Sequence, residues 1–153
     1  NAATGVIEER DVSSIIATNA YASLVTSAPT TISAGATPGA IQNLTLEDGL
    51  NFTLTNDSTL RADLAAKYEV IVSVNAATDY LLGDYTQAFD ATKNGSSIAS
   101  SLVSFTTSAA GQLITRNFFV SLAANDLLKF RIAPGSDGAT ATSCNVTIKR
   151  LDR

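Results

Sequence analysis

The chain has 153 residues, 45% hydrophobic and 16% charged, with a net charge of −4, so it reads as one domain with a core of its own and not as a disordered chain. It has no His and a single Cys, which removes the commonest general base and metal ligand, any internal disulfide and a cysteine zinc site. Ten scattered Lys and Arg against fourteen Asp and Glu argue against a nucleic-acid partner, and no apolar run nears the ~20 residues of a membrane span, so no membrane partner is expected either.

Residues 1–20 read as an irregular N-terminal arm, separate from a domain at 21–153. Glu8, Glu9, Arg10 and Asp11 form a charged knot between Val6-Ile7 and Ile15-Ile16. Val12, Ile15 and Ile16 have helix-like spacing for about one turn, too short to stand alone. These apolar residues are expected to pack on another body. The chain has no Met, so Asn1 reads as a processed or trimmed terminus.

From Tyr21 onward the pattern is short strands, predicted near 21–25, 41–46, 50–55, 66–76, 84–93, 101–107, 114–123, 127–133 and 141–151. Apolar and polar residues alternate along them, as in Tyr68/Val70/Val72/Val74, Leu128/Phe130/Ile132 and Cys144/Val146/Ile148. Thr37-Pro38-Gly39, Glu47-Asp48-Gly49, Asn94-Gly95 and the 134–138 segment supply turn chemistry between runs. A short helical turn is expected at 58–66, and no long helical period exists. Many short strands at this spacing predict an all-β antiparallel sandwich or barrel.

Three apolar residues break the alternation. Phe119 lies opposite the inward set Phe118/Val120/Leu122, Leu127 opposite Leu128/Phe130/Ile132, and Ile71 opposite Val70/Val72. Apolar residues on an outer sheet face imply that something covers them, unless a β-bulge slips the parity. Cys144 falls on an inward position and reads as a small buried residue, not a reactive thiol. Five Asn-x-Ser/Thr sequons, at Asn43, Asn51, Asn56, Asn94 and Asn145, read as ordinary polar strand and turn residues, with Asn51 and Asn145 alternating outward.

The order of segments resembles a known superfamily. Ala66–Val74 with Tyr68, the Lys93-Asn94-Gly95 hairpin, Phe119–Phe130 with Asn125-Asp126, and a closing strand Ser143–Leu151 together resemble the TNF/C1q-like jelly roll over residues 60–151. Asn125 stands where members usually carry Gly, and the tight turn still suits it. The resemblance implies a jelly-roll sandwich and a homotrimer. Similar domains serve as capsid-decorating, head-fibre and spike proteins of viruses and bacteriophages.

The expected function is therefore structural: an oligomeric virion surface protein, with Ile71, Phe119 and Leu127 at the oligomer interface. Val6, Ile7, Val12, Ile15 and Ile16 of the arm would hold a major capsid protein or another virion protein. The alternative is a receptor- or carbohydrate-binding domain, viral or secreted, that meets a host receptor or glycan through loops carrying Asp79, Tyr80, Asp84 and Tyr85, or through Gly135–Gly138. Loop oxygens of that kind suit Ca²⁺, but their spacing does not match the EF-hand loop. No metal or other cofactor is expected. No enzyme is expected, because a Ser nucleophile needs a base and the His-rich sites of jelly-roll enzymes are absent.

Overall fold

The computed structural model describes residues 19–35, 37–78, 85–108, 110–135 and 138–151. They form thirteen strands: β1 Tyr21–Thr26, β2 Thr30–Ile32, β3 Gly39–Ala40, β4 Leu44–Leu50, β5 Phe52–Asn56, β6 Thr59–Ala62, β7 Ala66–Ala77, β8 Tyr85–Lys93, β9 Ser96–Ser97, β10 Val103–Thr107, β11 Gln112–Leu122, β12 Leu127–Ala133 and β13 Ala139–Arg150. A single 3-10 turn spans Ala99–Ser101. One sheet has six strands in the order β11-β7-β13-β1-β4, with β2 also on β13. The other has seven, in the order β10-β8-β12-β6-β5, with β3 on β12 and β9 on β8. Every pairing is antiparallel, and the two sheets stack as a jelly-roll sandwich.

The core is what the alternation dictates. β7 buries Tyr68, Val70, Val72, Val74 and Ala76, and β12 buries Leu128, Phe130 and Ile132. Tyr68 meets Phe52 edge to face at 5.1 Å and donates its hydroxyl to the Leu64 carbonyl at 2.7 Å, so its polar end is satisfied inside the core. On β13 the inward positions step from Ala141 to Cys144. A register shift between Ala141 and Ser143 absorbs the odd residue. Burial pushes the Cys144 thiol up to about 12, so it sits in the core as a neutral small side chain.

Several expectations change. The 58–66 stretch holds no helical turn: Asp57-Ser58 make a tight turn, with the Ser58 N–H on Asn56 Oδ1 at 3.0 Å, and 59–62 is strand β6. Thr59 is β-branched and Leu60 is wholly buried, which favours the pleated ladder over one helical turn. Glu47-Asp48-Gly49 is no turn either but part of β4. Ser23 faces Asp48 and Leu24 faces Leu46, so Glu47 is the extra residue of a bulge. The single strand expected at 50–55 is two strands in different sheets, because Asn51 (φ 59°) turns the chain through the corner between them.

Left-handed turn positions of this kind explain three of the five sequons. Asn43, Asn51 and Asn94 have φ of 59°, 59° and 50°, the left-handed region where Asn is tolerated better than other side-chain-bearing residues. Each precedes strand residues rich in Thr and Ser, so turn chemistry and strand chemistry together write the motif. Asn51 is thus a half-buried corner residue and does not alternate outward, whereas Asn145 does point out from β13.

Candidate functional site

The outer face of the six-stranded sheet is built by the odd-numbered residues of β7 and β11. The β11–β7 register runs without a shift from Gln112↔Ala76 to Leu122↔Ala66. Phe119 therefore points outward by regular pleating, not by a bulge, and is 55% exposed. Phe119 lies directly across from Glu69, which places Ile71 on the neighbouring diagonal of the same face, half-buried. Leu113 shares this parity and is 66% exposed, about 20 Å along the strand from Phe119. The predicted strand began one residue too late to include Leu113; carrying the alternation of 115, 117 and 119 back by two would have found it.

The Glu69 carboxylate opposite Phe119 is already paired. Lys149 Nζ lies 2.8 Å from Glu69 Oε2, and Asn117 Nδ2 donates to Glu69 Oε1 at 2.9 Å. These partners, Lys149 first, hold the Glu69 carboxyl below its usual range. Ser73 and Thr115 share a hydroxyl bond at 3.0 Å across the next row, and Ser23, Thr147 and Asn145 continue outward on β1 and β13. The face thus carries small hydroxyl and amide side chains and a paired Glu69–Lys149 beside an apolar margin.

β11 is also the edge of its sheet. Edge strands are usually guarded by a projecting Lys, a Pro or a bulge. Here the sole charge on β11 is Arg116, and its Nε and Nη2 are turned back onto the Ser100 carbonyl at 3.0 and 2.6 Å. Leu102, next to that 3-10 turn, is 53% exposed. This eleven-residue edge has apolar neighbours and lacks those guards.

Not every expected residue joins this surface. Leu127 starts β12 on the outer face of the other sheet, so it cannot share one surface with Ile71 and Phe119. Tyr85 opens β8 opposite Thr107 and is half-buried. Asp79, Tyr80 and Asp84 lie outside the described residues, as do Val6, Ile7, Val12, Ile15 and Ile16 of the arm and part of the 135–138 loop. Among the described residues no group of three or more acidic or Cys side chains is placed to hold a metal ion, and no helix is long and apolar enough to cross a membrane.

No protein-family model matches the chain, and no curated protein matches it. Solved structures do. Murine APRIL at pH 5.0 superposes with a TM-score of 0.61 at 10% identity, covering 86% of this chain and 98% of that one. The vertex protein P5 of phage PRD1 gives 0.59 at 17% identity, covering 87% and 97%. The globular domain of zebrafish complement 1qA gives 0.57 at 8% identity, covering 88% and 98%. Two stacked antiparallel sheets, the β11-β7-β13-β1 order and these superpositions agree: the chain has the TNF/C1q-like jelly-roll fold.

Proposed function

We propose that this domain is a structural protein of a virus or bacteriophage surface that works by self-association, as a homotrimer, through the β11 edge and the outer face bearing Phe119, Ile71 and Leu113. The exposure of Phe119 on an unshifted ladder carries the reading. Burying such a margin is favourable by roughly 25 cal/mol per Å² of apolar surface, and stable interfaces bury about 1,200–2,000 Å² in total. The threefold stoichiometry is what the TNF/C1q-like resemblance implies, and likeness to a phage vertex protein supports the virion setting. In this reading the arm, with Val6, Ile7, Val12, Ile15 and Ile16, anchors the domain to a capsid protein. The function is contact area between subunits, not turnover.

Light scattering tests it. The full chain should have a mass near three times 15.8 kDa. Phe119→Ser with Ile71→Ser should lower it to one chain while the β-sheet circular dichroism is kept. A single-chain mass for the parent, or a variant that still trimerises, overturns the self-association reading. Removal of residues 1–18 should leave the trimer and abolish binding to the particle.

A further inference from the structure

The seven-stranded sheet carries a second feature, which the self-association reading leaves unused. A groove of about 410 Å³ runs along the outer side of β12, within the range of small-molecule sites. It exists because β12, paired with β8 along Leu128–Ala133 on one side, is thinly flanked on the other: β3 pairs with it only at Arg131↔Ala40 and Ile132↔Gly39, and β6 only at Leu127 and Leu128. Pro38 and Ala40 form one wall, Asn94 the other, and Leu127, Lys129 and Arg131 the floor.

The floor's charges are unequal. Arg131 is occupied: its Nε and Nη2 donate to Asp90 at 2.9 and 2.6 Å, and Ser97 Oγ donates to the same carboxylate at 2.7 Å. Lys129 forms no ion pair among the described residues. One positive charge is therefore left uncompensated, in a groove with apolar residues on its floor and one wall. The other wall is fixed: Asn94 Nδ2 donates to Asp126 Oδ1 at 2.7 Å, and Asn94 Oδ1 accepts the Leu127 N–H at 2.8 Å. A rim that is already ordered loses little freedom on binding.

We propose that this groove binds an acidic sugar, one ring bearing a carboxylate, with the carboxylate on Lys129 Nζ and the C–H face of the ring against Leu127 and Pro38. A monoanion fits the single free cation. A phosphate dianion would bring a second negative charge toward Asp90, which is paired behind Arg131, and toward Asp126, one hydrogen bond behind Asn94. A neutral sugar or an alkyl ligand would leave the Lys129 charge unused. The outward turn of Leu127 then has a use on its own sheet.

The test is calorimetric titration of the full chain with glucuronate and with N-acetylneuraminate. At least one should bind saturably in the millimolar range. Glucose should bind at least tenfold more weakly, and Lys129→Gln, a change at a half-buried outer-face position that keeps the side chain's length, should weaken the acidic sugar at least tenfold. Lys149→Gln on the opposite sheet should change nothing. Absence of saturable binding by both acidic sugars, equal binding by Lys129→Gln, or equal binding of N-acetylglutamate would each overturn the assignment. Because the groove and the β11 edge lie on different sheets, the Phe119→Ser, Ile71→Ser variant should keep the titration intact, so the two readings fail separately.

Discussion

The two outer faces of the sandwich solve the same problem differently. On the seven-stranded sheet the chain covers much of its own outer face, apart from the groove along β12. β9 and the 3-10 turn continue along β8, Ser101 Oγ takes the Ala91 N–H at 2.7 Å, and ion pairs Arg131–Asp90 and Arg61–Asp63 fill the surface at 2.6 and 2.7 Å. On the six-stranded sheet Phe119 and Leu113 stay more than half exposed and nothing in the described chain lies over them. What the seven-stranded face leaves open is a small groove and not a broad apolar margin. The six-stranded face has a regular ladder, satisfied polar groups and uncovered aromatic surface, and in the proposed assembly a second subunit would bury it.

The largest test of that contrast compares two phenylalanines. Phe130 is wholly buried in the core and Phe119 is not. Phe130→Ala should cost about 3–5 kcal/mol in urea denaturation, the sum of lost transfer energy and a residual cavity. Phe119→Ala, measured at dilutions where only single chains exist, should change stability by no more than about 0.5 kcal/mol. At higher concentration the parent should gain stability with concentration, as any associating system does, and Phe119→Ala should lose that dependence. Equal costs at high dilution would mean that the outer face is covered within one chain.

Acid is the next lever, and it acts on both faces. Asp126 is held below its usual range by the Ala123 N–H and then by Asn94. Burial pushes Asp63 up, but its bonds with Thr53 and Arg61 outweigh that and hold it low. Glu69 is held low by Lys149 and Asn117. A carboxyl whose folded pKa lies below its unfolded value adds stability above the unfolded value and loses it as pH falls through the folded one. Stability should therefore be flat near neutrality and fall below about pH 4. Urea midpoints at pH 7, 4 and 2.5 should show this, and Asp126→Asn should flatten part of the drop. A midpoint that is insensitive to acid would mean that these carboxyls gain nothing from their partners.

Legibility followed the physics of each element. Strands that bury one face announce themselves by period two, so β1, β7, β8, β10, β11, β12 and β13 were readable to within two residues or so. The outward position of Phe119 was readable for the same reason. Short strands were not: β2, β3 and β9 span three, two and two residues, too few for a period to show. β6 was hidden because Leu60 and Ala62 lie between Ser58 and Ala66 in a segment that also suits a helical turn, and only pairing with β5 and β12 decides it. The bulge at Glu47 mimics a turn because Asp and Gly serve both. The Lys129 groove was invisible for a different reason. It comes from what is missing beside β12, and gaps in a sheet follow from topology, not from local pattern.

The smallest test lies at the join between the two faces. The turn Ala123–Asp126 carries the chain from β11 on the open face to β12 on the closed one. Asn125 sits there at φ 73°, its N–H bonded to the Ala62 carbonyl at 2.7 Å. Asn94, at φ 50°, instead uses its side chain on both Asp126 and Leu127. If backbone conformation alone selects Asn125, Gly should replace it within a few tenths of a kcal/mol, while Ala should cost about 1 kcal/mol for entering the left-handed region. Asn94→Gly keeps the permitted φ but loses two hydrogen bonds, so it should cost about 1–2 kcal/mol and loosen Leu127 at the start of β12. Urea denaturation of the three variants separates these causes. Equal losses for Asn125→Gly and Asn94→Gly would show that side-chain bonding holds both turns, and that the passage between the faces depends on more than the sign of φ.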